Sequence, residues 1–155
     1  MKIESVNELC KIISPKYNIR PSLMMAICEQ ESSFDETAVR LENGFYRKYV
    51  RPMELPTIVE ILLSASYGLT QTIGESLYEL KYFSNANDVH LVTDQLEAYM
   101  RSPAMQIEMG CKWFSKKLEL AKGDISKALL FWNGGANKNY HYEVLEKEKK
   151  YAVAT

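Results

Sequence analysis

The apolar positions of this chain recur mostly at the three-to-four-residue spacing of helices rather than in the alternation of strands. Val6, Leu9, Cys10 and Ile13 make the stripe of a first helix, with Ser5-Val6-Asn7-Glu8 reading as its capping box and Ser14-Pro15 as its stop. Pro21 suits the first turn of a second helix, in which Met24, Ile27, Cys28 and Glu31 fall at i, i+3, i+4 and i+7. Residues 38–56 hold no clean period. The cluster Phe45-Tyr46-Arg47-Lys48-Tyr49 within them predicts a loop or an irregular hairpin. Thr57-Ile58-Val59-Glu60 reads as a second capping box, opening a short helix to about Ser64. Ile73, Leu77 and Leu80 predict a helix from near Gly74, and the polar stretch from Ser84 to Thr93 predicts a loop. Ser102-Pro103 is an N-cap followed by proline at the first helical position, and Ile107, Cys111, Phe114, Leu118 and Ala121 follow as a long core stripe. Gly123 closes that helix and Asp124 caps the next, whose inner face is Ile125, Ala128, Leu129 and Trp132. Gly134-Gly135 breaks it. A last helix is predicted from about Asn139 to Tyr151, with a frayed tail beyond. The pattern as a whole predicts a mainly α single domain, with no internal repeat and no linker.

Glu31 departs from its own stripe. Its three partners on that helical face are apolar, and a carboxyl held against an apolar face resists ionising because water no longer stabilises its charge. That is the condition a general acid needs near neutral pH. Glu29 lies about 200° around the helical wheel from Glu31 and is expected to face solvent.

Composition narrows the possible partners. The length of 155 residues suits one domain with a real core. A net charge of -1 argues against a nucleic-acid partner, which would want a basic face. It also removes a simple electrostatic account of binding an acidic cell wall. Cys10, Cys28 and Cys111 each fit an apolar stripe and read as buried free thiols; their odd number and wide spacing disfavour a disulfide framework or a zinc site. His90 and His141 lack metal-ligand spacing, so neither a metal nor a cofactor is expected. Met1-Lys2-Ile3-Glu4-Ser5 holds no apolar h-region and no run reaches membrane-spanning length, so neither a signal peptide nor an integral membrane segment is expected.

Three further segments, taken in order with Glu31-Ser32-Ser33-Phe34, carry a family resemblance. They are Ser66-Tyr67-Gly68-Leu69-Thr70-Gln71-Thr72, Phe131-Trp132-Asn133-Gly134-Gly135, and Tyr140 followed by Val144-Leu145. Together they resemble the soluble lytic transglycosylase domain, a lysozyme-like fold that cuts peptidoglycan. That family reads Glu-Ser-x-Phe at a helix end, then Gly-Leu-Met-Gln, then Tyr-Asn-Ala-Gly, then a Tyr. Here Thr70 stands for Met, Trp132 for Tyr and Gly134 for Ala. The resemblance runs from about Pro21 to Tyr151. It implies one lysozyme-like domain, mainly α with at most a small β-hairpin region.

The resemblance also implies a chemistry. The bond cut is the MurNAc-β-1,4-GlcNAc link, with the substrate's own N-acetyl group assisting. Glu31 acts first as acid and then as base on the muramyl C6 hydroxyl, closing a 1,6-anhydro ring. Ser66, Gly68, Gln71, Trp132, Asn133 and Tyr140 are the expected substrate-binding residues, with the Tyr140 hydroxyl near the acid. Thr70 would weaken the apolar wall of the glycan cleft. Arg40 falls where many relatives carry a serine, a role that Ser64 or Ser66 would take over. The implied partner is the glycan strands of bacterial peptidoglycan, met by a monomer. A chain made in the cytoplasm without a leader would reach the wall by phage release or as part of a virion. Two alternatives stay open: a hydrolysing lysozyme on the same fold, and a catalytically silent wall-binding or virion structural protein. Hydrolysis would call for a second acid among Asp35, Glu36, Glu42 and Glu60.

Overall fold

The computed structural model describes residues 2–152. The chain runs α1 (Ile3–Ile13), α2 (Pro21–Ser32), β1 (Val39–Leu41), α3 (Asn43–Phe45), α4 (Thr57–Leu63), β2 (Ala65–Tyr67), β3 (Thr72–Ile73), α5 (Gly74–Glu79), α6 (Val89–Met100), α7 (Pro103–Leu120), α8 (Ile125–Trp132) and α9 (Tyr140–Ala152). The fold is mainly helical with a small antiparallel sheet in the order β1-β2-β3, in which Arg40 pairs with Ser66 and Tyr67 with Thr72.

Leu23 to Cys28 are all buried, so α2 is apolar around most of its circumference and must be enclosed by other helices. Its most extensive partner is α9. The two are pinned at both ends. Near the start of α2, buried Glu148 accepts from Arg20 Nε at 2.8 Å, from Arg20 Nη2 at 3.0 Å and from Ser22 Oγ at 3.0 Å. Near its end, Glu29 accepts from Lys150 Nζ at 2.9 Å and from Tyr151 OH at 2.6 Å. Glu29 is therefore not a free solvent-facing group, because α9 covers that side of the helix.

Apolar residues gather in two clusters. One joins Val6, Cys10, Leu23, Met24, Ile27, Ile107, Cys111, Phe114, Leu129, Tyr140 and Val144. The other joins Val50, Val59, Leu63, Tyr67, Leu77, Phe83, Val92, Tyr99 and Met109. Helix α7 serves both, turning Ile107, Cys111 and Phe114 into the first and Met109 into the second. The three cysteines are buried free thiols.

Local signals were used unevenly. Ser102 caps α7 by accepting from Met105 N at 3.2 Å, and Asp124 caps α8 by accepting from Lys127 N at 3.0 Å. The two capping boxes do not form. Helix α1 begins at Ile3, which puts Ser5 inside it, and buried Glu60 accepts from Tyr46 OH at 3.3 Å instead of turning back to a cap. Ser14-Pro15 does stop α1, which ends at Ile13, and the chain continues through a 3-10 turn to Tyr17. The 43–53 region is a run of helical turns (α3, a π turn over Tyr46–Val50 and a 3-10 turn over Arg51–Met53), not a hairpin. The loop expected from Ser84 to Thr93 ends early, because Asp88 accepts from Leu91 N at 3.0 Å and starts α6 at Val89. The frayed tail expected beyond Tyr151 falls mostly outside the described residues.

Candidate active site

Glu31 sits in the last turn of α2, where unsatisfied carbonyls give the helix end partial negative charge that disfavours an ionised acid. The helix then stops through two consecutive left-handed residues, Ser33 at φ 53° and Phe34 at φ 67°. Ser32 ties this end down. Its hydroxyl is shared between Cys28 O at 3.2 Å and Leu69 O at 2.9 Å, the latter in the turn between β2 and β3.

Two donors converge on one oxygen of Glu31. Trp132 Nε1 donates to Oε1 at 2.9 Å, and the Tyr140 hydroxyl donates to the same Oε1. These residues close α8 and open α9, so the packing of α2, α8 and α9 builds the contact. Burial pushes the Glu31 carboxyl above its usual range; the hydrogen bonds from Tyr140 and Trp132 and the charge of Arg40 oppose the rise, and Glu42 adds to it. Burial and then the charge of Glu31 push the Tyr140 phenol well up, so it stays a donor.

Glu31 opens onto a cleft of about 640 Å³, within the range of ligand sites. The cleft lies where the two apolar clusters meet. Trp132, Asn133, Gln71 and Ser66 line it beside Glu31. Trp132 also packs edge-on against Phe114, with ring centroids 5.9 Å apart, so it is core and cleft wall at once. Asn133 Oδ1 accepts from Asn137 N at 2.6 Å, which shapes the loop before α9. Gln71 Nε2 donates to Ala38 O at 3.1 Å and Gly68 O at 3.0 Å, leaving its carbonyl oxygen for a ligand. Ser66 turns its hydroxyl toward Glu42 Oε1 at 3.5 Å, and Arg40 Nε is bound to the same oxygen.

Gly68 is not a cleft residue. It has φ +69°, and a Cβ there would stand 2.3 Å from Gln106 Oε1. The buried Gln106 amide needs that space, because it accepts from Leu69 N at 2.9 Å and donates to Glu36 O at 3.1 Å. Nor does Thr70 face the cleft. It is fully buried against Gly110, where its hydroxyl donates to Gln106 O at 3.1 Å. Tyr140 is buried beneath Glu31 rather than exposed in the cleft. Sequence reasoning missed Glu75, Trp113, Lys117 and the exposed ring of Phe131, all of which line the cleft. Of these Trp113 had a signal, a large aromatic off the core stripe of its helix, and Phe131 stands at the head of the segment that holds Trp132 and Asn133.

The family model described as Transglycosylase SLT domain matches residues 8–154, and the chain belongs to this family. A comparison with curated proteins and one with solved structures gave no match. Membership implies transglycosylase activity with peptidoglycan as substrate, acting on the cell wall. Among the described residues no helix is long and apolar enough to cross a membrane.

Proposed function

We propose that the chain is a lytic transglycosylase in which Glu31 is the sole general acid and base. The arrangement at Oε1 carries this reading. With Trp132 and Tyr140 both donating to Oε1, its lone pairs are occupied, and the proton of the neutral acid belongs on Oε2. Oε2 has no hydrogen-bond partner among the described residues and is the atom available to a substrate. Glu31 thus protonates the glycosidic oxygen between MurNAc and GlcNAc as that bond breaks. The N-acetyl group stabilises the anomeric carbon. Glu31, now a carboxylate held by two donors, takes the proton of the muramyl C6 hydroxyl, which attacks and closes the anhydro ring. The bound ring holds that hydroxyl close, so it outcompetes free water. Trp132 offers an aromatic face to a sugar, and Gln71, Asn133 and Ser66 offer polar contacts along the cleft.

The product tests the proposal. Digests of purified peptidoglycan, resolved by mass, are expected to end mainly in 1,6-anhydro-MurNAc, lighter by one water than a hydrolysed end. Predominantly reducing ends would make the enzyme a hydrolase. Of the four acids open to that role, only Glu42 lines the cleft, so it would be the water-holding group.

A further inference from the structure

The two donors to Glu31 stand at the two ends of one loop, residues 133–139, which joins Trp132 at the end of α8 to Tyr140 at the start of α9. Asn133, Gly134 and Ala136 of this loop line the cleft. Its shape does not come from apolar packing. Residues 134–136, 138 and 139 are exposed, Asn133 and Asn137 are half-buried, and a Cβ at Gly134 or Gly135 would meet nothing within 4 Å. Hydrogen bonds set the shape instead, and they meet at Asn137. Its N–H donates to Asn133 Oδ1 at 2.6 Å, its Oδ1 accepts from Asn139 N at 2.9 Å, and its carbonyl accepts from Tyr140 N at 3.2 Å. Its Nδ2 donates to Glu143 in the first turn of α9, at 3.1 Å to Oε1 and 3.2 Å to Oε2. Glu143 Oε2 also accepts from Gln30 Nε2 at 2.8 Å, and Gln30 stands just before Glu31 on α2.

One carboxylate therefore joins three pieces of the site: the helix that carries the acid, the helix that opens with Tyr140, and the loop that walls the cleft. A hydrogen bond to a carboxylate is stronger than one between amides, and a loop without buried apolar groups has little else to fix it. We infer that Glu143 is a positioning residue, which holds loop 133–139 in the shape that presents Asn133 and its neighbours to the substrate. This rests on the glycan-strand reading given above. Glu143 acts on the cleft wall and not on the acid. Trp132 is held by Phe114 and Tyr140 is buried, so both donors keep their places when the loop loosens. Release of the loop therefore weakens strand binding and spares the chemical step.

Kinetics on soluble glycan strands and amide hydrogen exchange test it. Glu143→Ala is expected to raise KM about fivefold and to leave kcat within about twofold, the scale of one net hydrogen bond. Glu143→Gln keeps a hydrogen-bonding group at the same place and should recover most of the loss. Asn137→Ala should reproduce the Glu143→Ala effect, and the double variant should be no worse than either, because both residues act through one contact. Glu146→Ala, which removes an α9 acid paired with Lys149, should change nothing. An unchanged KM in Glu143→Ala overturns the inference, as does a fall in kcat at constant KM or a double variant whose effects multiply. If the unaltered protein cuts no strand, the glycan-cleaving reading fails, and exchange decides the loop by itself. The amides of Asn137 and Asn139 should exchange about tenfold faster in Glu143→Ala, with those of α8 unchanged. Equal exchange in the two proteins overturns the inference.

Discussion

Trp132 donates its indole N–H to Oε1 of Glu31 at 2.9 Å, joining two residues 101 positions apart in sequence. The bond favours the carboxylate over the neutral acid. Trp132→Phe keeps a ring beside Phe114 and removes only the donor. Glu31 should then hold its proton to higher pH. Because the acid works when protonated, the alkaline limb of the kcat profile should move up in pH, while the plateau falls roughly tenfold from lost orientation. A pH–rate series shows both, and a limb that stays put or moves down rules out this role for Trp132.

Glu31→Gln should lower turnover by at least roughly two orders of magnitude while strand binding persists. It should also stabilise the protein. The folded carboxyl is raised above its ordinary value of 4.5, so the stability associated with Glu31 is fully present below that value and is lost as pH rises through the folded pKa. Glutamine escapes this loss. Melting curves should show a gain at pH 7 that vanishes below about pH 4. A variant less stable than its parent at pH 7 contradicts the burial argument. Glu29→Gln, which loosens the contact with Lys150 and Tyr151, should cost about 1 kcal/mol of stability and leave turnover near normal.

The Arg20–Glu148 pair should respond unequally to its two removals. The Glu148 side chain is 10% exposed and that of Arg20 57%. Arg20→Ala strands a buried carboxylate and should cost about 2–3 kcal/mol; Glu148→Gln leaves an arginine that can reach water and should cost about 1 kcal/mol. Urea titrations that give the opposite order would contradict this account of how α2 is pinned to α9.

Gly68→Ala forces a Cβ into Gln106 at a backbone angle that L-residues avoid. The expected cost is about 2–4 kcal/mol, read as an earlier urea midpoint with unchanged slope. Because Gly68 does not line the cleft, any activity lost should follow the loss of folded protein. A fully stable Gly68→Ala protein that failed only in catalysis would return Gly68 to the substrate site.

Helices with side-chain caps and long stripes were legible in the sequence. Ser102-Pro103 and Asp124 marked α7 and α8 because a cap and the first apolar positions agreed. Helix α6 was missed because its cap, Asp88, lies in a polar run, so its buried Val92 and Tyr99 were not joined into a stripe. Residues 43–53 resist any periodic template, since α, π and 3-10 turns follow one another within a few residues. Glu31 stood out because one carboxylate broke an apolar face. Its two donors came only through the family resemblance, since their meeting depends on α2 packing against α8 and α9. The cleft role of Gly68 was misread for a similar reason: a glycine that admits a substrate and one that admits Gln106 look the same in one dimension.

Ser32 grips the carbonyl of Leu69, a main-chain atom, rather than any side chain of that turn. The acid-bearing helix therefore reads the path of the turn and not its lettering. The side chains of the turn answer to other neighbours, Gly68 to Gln106 and Thr70 to Gly110. A change in the number of residues between Gly68 and Gln71 is different, because it would shift the carbonyl itself. An inserted residue in the turn should accordingly displace Glu31 itself, whereas a substitution there acts first on the packing around Gln106 and Gly110.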